Sequence, residues 1–295
     1  MEVVDSQIHE FAPRLEWPKE GEARYRVAVE AALAAMDAAG VAAAVISAPD
    51  EFCEFAATVA PGRLASVMSV VDAPPGTAEM VAGVRDRPGV LGIRVAPVSR
   101  IDQHLEPLRS GQFDPVFAAA VEHAVPVCIF MSGTLELVPD IVRKHPDLNL
   151  IIDHLGLPQP PLEPLDDALP GRIREMVELA SYPNISVKFI GAPTLAREPF
   201  PFTDVWETLM PMIEAFGPDR LMWGSDITRI QLRFPDAQPG IAPDRPDYPG
   251  KHSYGEAVDF LKLTDRLSAD DKQRILGGTL RRVLNWPRDE EAAAG

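Results

Sequence analysis

Short apolar runs alternate with amphipathic segments along almost the whole chain. Eight of these runs have the length and composition of buried parallel strands, and segments with apolar residues at helical spacing separate them. The predicted strands cover residues 3–9, 43–47, 64–71, 90–95, 126–131, 148–153, 185–189 and 221–223. This alternation predicts a single (β/α)8 TIM-type barrel over residues 1–287, followed by a flexible tail over residues 288–295. A doubly wound open sheet is the alternative, although no Gly-x-Gly-x-x-Gly motif follows the first strand.

Sequence signals mark the ends of several predicted helices. The first helix stops at Gly40, a residue suited to the left-handed conformation that ends many helices. Thr77 and Asp114 are predicted to cap the N-terminal ends of two helices, and Ser268 opens a capping-box pattern. Further helices are predicted over residues 52–59, 77–85, 135–144, 173–180 and 204–216.

The connections between these elements are unequal in length. Helix-to-strand connections are short, whereas several strand-to-helix connections are long. The long connections cover residues 10–24, 96–113, 155–170, 191–202 and 227–252. Long loops in compact domains are frequently functional, and barrel enzymes carry their active sites at the C-terminal ends of the strands. The candidate chemistry is therefore expected at that face.

The charge of the chain limits its partners. With 295 residues and a formal net charge of −16 at pH 7, the chain is not expected to bind nucleic acid or an anionic membrane. The N-terminus has no basic and apolar leader, and no run approaches about 18 apolar residues, so a cytoplasmic location is predicted. Cys53 and Cys128 are far apart, which argues against a disulfide framework or a cysteine-rich zinc site. Apolar helix faces could bury the interface of a homo-oligomer.

Several side chains able to contact a ligand lie where the predicted strands end. They are Gln7, His9, Arg94, Met131, Asp153, His154, Lys188 and Asp226. Asp226 follows two small residues, and taken alone this arrangement is more typical of a helix cap or a turn. Lys188 could act on a substrate or pair with Asp153 or Asp226. His9 could equally be a core histidine whose hydrogen bonds are satisfied within the protein.

Four motifs together resemble the amidohydrolase-related proteins. They are Asp-x-x-x-His at 5–9, Asp-His-Leu-Gly at 153–156, Asn-Ile-Ser-Val-Lys at 184–188 and Gly-Ser-Asp at 224–226. Within that superfamily the chain is most similar to the lactonase-like group of sugar-lactone, sulfomuconolactone and pyrone-dicarboxylate hydrolases. Segments 215–223 and 276–285 are also similar to the C-terminal segment of that group. The resemblance spans nearly the whole chain and implies a barrel hydrolase.

The chain departs from the family pattern at metal-binding positions. The superfamily places His-x-His on the first strand, where Gln7 precedes His9 here, and often a histidine after the fifth strand, where Met131 stands. The remaining ligands, His9, His154 and Asp226, could hold one zinc or manganese ion with water at an open position. The resemblance equally implies a metal-free alternative, in which the aspartate after strand 8 activates water. We therefore predict either no metal or one weakly held divalent ion.

Lactone hydrolysis requires a base for water, a donor at the developing oxyanion and anchors for the substrate. Asp226 is the predicted base, His154 and His9 are the predicted donors, and Lys188 is an additional cation. The predicted substrate contacts are Arg94, Gln7, Met131 and Arg229. Further loop cations are Arg100, Arg109, Arg197 and Arg233. Several cations at one face of an acidic protein indicate a small anionic substrate, such as a lactone that bears a carboxylate.

Two other functions remain open at this point. One is metal-dependent decarboxylation of an aromatic or enoic acid, a reaction known in the same superfamily, which requires a firmly bound divalent ion. The other is a non-catalytic or partner-dependent subunit, in which the missing ligands on strands 1 and 5 mark a loss of activity. The retention of His9, His154 and Asp226 together favours an enzyme.

Overall fold

Eight parallel strands in sequential order form one sheet, with helices between successive strands. The computed structural model describes residues 1–11, 21–96, 105–131, 134–157, 168–230 and 252–287. The strands are β1 (Val4–Ile8), β2 (Ala43–Ile46), β3 (Leu64–Val70), β4 (Val90–Val95), β5 (Val127–Ile129), β6 (Leu150–Ile152), β7 (Ile185–Ile190) and β8 (Leu221–Gly224). The predicted (β/α)8 barrel is confirmed, and the predicted tail at 288–295 lies outside the described residues.

Helices surround this sheet, most of them where the sequence predicts one. Those at Glu106–Arg109 and Ile227–Ile230 instead fall inside segments that were predicted as long connections. The helices are α1 (Glu22–Ala39), α2 (Asp50–Val59), α3 (Thr77–Ala82), α4 (Glu106–Arg109), α5 (Asp114–Glu122), α6 (Val138–Lys144), α7 (Leu169–Leu179), α8 (Trp206–Phe216), α9 (Ile227–Ile230), α10 (Tyr254–Leu263), α11 (Ala269–Gln273) and α12 (Thr279–Val283). Gly40 ends α1 with φ 70°, in the left-handed conformation that was predicted. The capping box of Ser268 and Asp271 at the start of α11 is also confirmed.

Two predicted helix caps are wrong because the side chains have other partners. Thr77 is the first residue of α3 rather than its cap, and its hydroxyl donates to the carbonyl of Pro74 at 2.7 Å. Asp114 is the first residue of α5, and its carboxylate pairs with Lys144 at 3.0 Å. The predicted helix at 77–85 also ends early, at Ala82, where a 3-10 turn follows.

Two strands are shorter than predicted, and the difference matters for the site. β5 covers Val127–Ile129 instead of 126–131, and β6 covers Leu150–Ile152 instead of 148–153. Met131 and Asp153 therefore lie beyond the hydrogen-bonded ladders, in the backbone that leads into the strand-to-helix connections.

Residues inside the barrel form an apolar cluster of their own. Strand residues such as Val4, Val45 and Met222 pack there together with Leu280 and Trp286 near the C-terminus. A larger cluster joins the outer strand faces to the helices. Because the inner cluster holds residues near the strand starts, the C-terminal segment covers the N-terminal end of the barrel. The opposite end holds the carboxyl ends of the strands.

β1 and β8 meet without forming a ladder within the described residues. A buried carboxylate joins them instead, because Ser225 donates from its backbone N to Asp5 Oδ1 at 2.9 Å and from its hydroxyl to Asp5 Oδ2. The backbone N of Asp226 also donates to the carbonyl of Gln7 at 3.1 Å. The first and last strands are thus linked beside the predicted site residues.

Gly224 allows this close approach. A Cβ atom at this position would overlap Ser6 Oγ and would lie 2.7 Å from Ile190 Cγ1, inside any normal contact distance. Both neighbours belong to flanking strands, so a larger side chain would push β1 or β7 away from β8.

Both cysteine thiols are free and buried. Burial raises the pKa of the Cys53 thiol to about 11, so this side chain behaves as a small apolar group. No helix in the described part of the chain is long and apolar enough to cross a membrane.

Candidate active site

The predicted site residues gather at the C-terminal ends of the strands in two linked groups. The first group contains Asp226 after β8 and His9 after β1. The second group contains Gln7, His154, Lys188, Asp153 and Arg94, which come from β1, β6, β7 and β4 or the residues just beyond them. The backbone N of Asp226 donates to the carbonyl of Gln7 at 3.1 Å, so the two groups adjoin at the ends of β1 and β8.

Asp226 and His9 form the centre of the first group. His9 Nε2 lies 3.1 Å from Asp226 Oδ1, and its other ring nitrogen, Nδ1, donates to the backbone carbonyl of Ser47 at the end of β2. The backbone N of His9 donates to Thr228 Oγ1 at 2.8 Å, which ties it to α9. Asp226 is only 4% exposed and has φ 49°, an unusual conformation for a residue with a side chain. Such backbone strain is characteristic of functional positions.

Asp5 holds in place the backbone next to Asp226. Besides its two bonds from Ser225, it accepts from the backbone N of Gln7 at 3.0 Å and from the Tyr254 hydroxyl at 2.8 Å. Burial raises the pKa of Asp5 to about 6, although each of these hydrogen bonds acts in the opposite direction. The Ser225 hydroxyl in turn accepts from the backbone N of Ile227 at 3.0 Å, so both neighbours of Asp226 are fixed.

Alternation along a strand would place the side chains of Asp5, Gln7 and His9 on one face of β1, but in the structure they contact different groups. Asp5 contacts Ser225 and Tyr254, whereas the Gln7 side chain contacts His154 and Lys188. The register between β1 and β2 shifts between Asp5 and Ile8, and an irregularity of this kind redirects side chains.

Asp153 is a buried carboxylate held between two cations. Lys188 Nζ lies 2.9 Å from its Oδ1, and Arg94 Nε donates to its Oδ2 at 2.6 Å. Burial alone would raise the pKa of Asp153, but the two cations outweigh it and hold the pKa below its usual range. Burial likewise acts to lower the pKa of Lys188, yet the Asp153 carboxylate raises it overall. The predicted pairing of Lys188 with Asp153 is therefore confirmed.

His154 is a buried, neutral imidazole in this site. Its ring Nε2 lies 3.1 Å from Gln7 Nε2, and its Nδ1 is buried with no hydrogen-bond partner among the described residues. Burial lowers the pKa of His154 to about 4. The His154 and Phe130 rings pack edge to face, with their centroids 5.6 Å apart. The Arg94 guanidinium lies over the same Phe130 ring, 5.2 Å from its centroid. His154 also has φ 54°, so two site residues have left-handed backbone.

The other residues that the sequence suggested as substrate contacts or loop cations do not belong to either of these two groups. Met131 is fully buried in the outer apolar cluster, and Arg109 is exposed and pairs with Glu136 at 3.3 Å. The backbone N of Arg197 donates to an Asp204 carboxylate oxygen at 2.8 Å. Arg229 belongs to α9, but its side chain, like Arg100 and Arg233, lies outside the described part.

The donors fit a metal ion only in part. His9 is oriented as metal-binding histidines are, with Nδ1 on a carbonyl and Nε2 toward a carboxylate. His154 fits less well, because its Nε2 is in hydrogen-bond contact with Gln7 Nε2 at 3.1 Å. Across the described ranges, no group of three or more His, Cys, Asp or Glu side chains is arranged to hold a metal. A site with three protein ligands is therefore not formed by these side chains.

Some contributors could not be identified from the sequence. The phenol of Tyr254 reaches Asp5 across 249 positions of the chain, and no local pattern indicates that contact. Ser47 contributes only a backbone carbonyl, which residue type cannot reveal. The Asp153-His154 dipeptide did mark its place, because it directly follows an apolar strand.

Comparisons with known proteins give a consistent result. A family model described as amidohydrolase matches residues 4–286. An L-fucono-1,5-lactonase from Burkholderia multivorans is 28% identical over 166 residues, which are 52% of this chain and 50% of that protein. The match thus spans about half the length of that curated relative.

Solved structures share the fold. An amidohydrolase from Burkholderia multivorans with bound zinc superimposes with a TM-score of 0.71 at 24% identity, covering 97% of this chain and 100% of that one. A 5-carboxyvanillate decarboxylase from Novosphingobium aromaticivorans, complexed with manganese, has a TM-score of 0.60 at 15% identity and covers 96% of each chain.

Proposed function

The chain belongs to the amidohydrolase family, and we propose that it hydrolyses a small lactone or related cyclic ester that bears a carboxylate. Its similarity to a lactonase supports the lactonase-like group within that family. The observation that carries the proposal is the Asp226 carboxylate, held in left-handed backbone 3.1 Å from His9 at the strand ends.

Asp226 is the proposed base. It takes a proton from water while the water oxygen forms a bond to the lactone carbonyl carbon. The ring C–O bond then breaks, and the leaving alkoxide receives the proton back, which yields a hydroxy acid. His9 is anchored on Ser47 through Nδ1, and its Nε2 lies beside this carboxylate. When the ring carries a proton on both nitrogens, Nε2 donates to Asp226 and holds the carboxylate in position. A positioned general base of this kind contributes about 10²- to 10⁴-fold to the rate.

His154 is the proposed donor to the developing oxyanion. The imidazole is neutral because burial lowers its pKa to about 4, and a neutral ring still offers one N–H. Its Nδ1 is the buried atom that lacks a partner among the described residues. Loss of one oxyanion donor typically raises the barrier by about 3 kcal/mol.

Arg94 is the proposed anchor for the carboxylate of the substrate. Only its Nε contacts Asp153, and a guanidinium has further N–H donors in a planar fork that matches a carboxylate. The side chain is 12% exposed, and its packing over Phe130 limits its movement. Arg229, Gln7 and Met131 remain predicted substrate contacts from the sequence.

A metal-dependent decarboxylase is the second candidate. His9 and Asp226 have the orientation of metal ligands, and a manganese-bound decarboxylase shares the fold. A bound ion would supply Lewis-acid stabilisation of charge on the substrate. Elemental analysis of protein purified without added metal or chelator separates the two, since stoichiometric zinc or manganese would favour decarboxylation. The cytoplasmic location and the homo-oligomer remain predictions.

The proposed function is tested with a panel of carboxylated lactones and the variant Asp226→Asn. Hydrolysis is followed by proton release in weak buffer. We expect kcat/KM to fall about 10²- to 10⁴-fold in Asp226→Asn. The exposed Asp147→Asn, in the turn before β6, is the matched control and should retain full activity. Equal activity in both variants would instead indicate a non-catalytic or partner-dependent subunit.

A further inference from the structure

Lys188 determines the orientation of the Gln7 amide. Its Nζ is buried, lies 2.9 Å from Asp153 Oδ1 and donates to the Gln7 side-chain oxygen Oε1 at 3.1 Å. An ammonium has three donors and no acceptor, so the amide atom that faces it must be the oxygen. The Asp153 carboxylate raises the pKa of Lys188, which keeps this ammonium charged within the barrel.

The Gln7 amide then determines where His154 carries its proton. With its oxygen on Lys188, the amide directs its NH2 group to His154 Nε2 at 3.1 Å. Two donors cannot face each other at that distance, so Nε2 of His154 must be the acceptor. A neutral imidazole has one proton, and it must therefore be on Nδ1.

The opposite tautomer is incompatible with the charged Lys188. If Nε2 of His154 carried the proton, Gln7 would have to turn its oxygen to the ring and its NH2 group to the ammonium. That arrangement places two donors face to face in a buried site. Asp153 holds Lys188 in place on the other side, and Arg94 holds Asp153, so the ammonium cannot withdraw from the amide without breaking that pair.

We propose that Lys188 is a positioning residue, which acts through Gln7 to fix His154 as the Nδ1–H tautomer and so makes it a hydrogen-bond donor. This rests on the proposed function only for its consequence, that the fixed N–H is offered to the substrate oxygen. Nδ1 is buried and has no partner among the described side chains and backbone groups, as expected for a donor reserved for a ligand. Lys188 thus acts through Gln7 and does not contact the substrate itself.

The tautomer can be measured directly, without substrate. In protein with ¹⁵N-labelled histidine, nitrogen chemical shifts and two-bond correlations distinguish a protonated ring nitrogen from a bare one. His154→Asn identifies the His154 signals among the 6 histidines. For the wild-type protein at neutral pH we expect protonated Nδ1 and bare Nε2. In Lys188→Met the amide is released, and a substantial Nε2–H population should appear.

A second variant keeps the test decisive if Lys188→Met does not fold. Gln7→Met removes the amide while leaving Lys188 and Asp153 paired, and it should also release the tautomer. Where lactone hydrolysis is measurable, both variants should lower kcat at least tenfold, and Lys188→Met should leave KM within about threefold. Protonated Nε2 in the wild-type protein, or unchanged Nδ1–H in a folded Gln7→Met, would overturn the proposal. Absence of lactonase activity with the expected tautomers would overturn the proposed function alone.

Discussion

His9 connects the carboxylate of Asp226, after β8, to the backbone that follows β2. Its Nε2 lies 3.1 Å from Asp226 Oδ1, while its Nδ1 bonds to the Ser47 carbonyl beyond β2. The base after the last strand is thus braced by backbone that follows the second strand. The bracing explains how a carboxylate on a short, strained turn can have a defined position.

Replacing His9 with leucine should therefore impair catalysis more than binding. We expect kcat to fall about 10- to 100-fold while KM changes little, because the base remains but loses its orientation. Steady-state kinetics on the best lactone of the panel give both values. A large rise in KM with unchanged kcat would mean that His9 contacts the substrate instead.

Arg94→Lys should reduce affinity for carboxylated substrates. Lysine retains the charge, but a point charge cannot pair with Asp153 through one nitrogen and grip a carboxylate with a planar fork. We expect KM to rise about tenfold, with a smaller effect on a lactone whose carboxylate is esterified. A uniform effect on both substrates would show that Arg94 supports the structure of the site and does not recognise the carboxylate.

Gly224→Ala should destabilise the protein. The added methyl group would overlap Ser6 of β1 and Ile190 of β7, the strands on either side of β8, and such overpacking costs about 1–3 kcal/mol. Gly171→Ala is the matched control, since its nearest neighbour is Arg174 Nη2 at 3.7 Å, and alanine in helix α7 should be neutral or stabilising. Urea denaturation measures both free energies of unfolding. Equal stability of the two variants would contradict the tight packing of β8.

Asp5 should make stability depend on pH. Burial raises the pKa of Asp5 to about 6 in the folded state, above the ordinary value of 3.8 for an aspartate in the unfolded chain. Between these values the folded state binds the extra proton, so the contribution of Asp5 is present below pH 4 and is lost as pH rises through 6. The free energy of unfolding of Asp5→Asn, measured relative to that of the wild type, should therefore rise by about 2 kcal/mol between pH 4 and pH 7.

Denaturation of the wild type and Asp5→Asn at a series of pH values checks this prediction. The comparison is needed because His154, whose pKa burial lowers to about 4, changes stability in the opposite direction over a similar range. A difference between the two proteins that does not vary with pH would show that the hydrogen bonds to Asp5 outweigh its burial and keep it ionised.

The order of the elements could be predicted from the sequence because burial on both faces makes each strand a short apolar run. The position of the site followed from the same pattern, since polar residues such as Asp226 and Lys188 directly follow or end those runs. The residues at which helices begin were harder to predict, because the side chains of Thr77 and Asp114 bind turn or tertiary partners instead of capping a helix. Local preference and distant partners act on the same side chain, and sequence shows only the first.

The role of Gln7 could not have been predicted for a related reason. In the sequence it is a substitution within a metal-binding motif, and it indicates loss of a ligand. In the structure its amide lies between Lys188 and His154, where a group with both a donor and an acceptor is required. The role of Gln7 therefore depends on Lys188 and His154, which lie 181 and 147 positions away in the sequence.

The link between Asp5 and Ser225 makes closure of the barrel between β1 and β8 and assembly of the catalytic centre a single event. These residues are 220 positions apart, and contacts of such separation carry a large entropic cost and form late. A refolding chain should therefore recover helical circular dichroism before it recovers turnover. A fragment that lacks the last strand would retain most of the scaffold and have no base. Regained activity is thus a direct reporter of barrel closure.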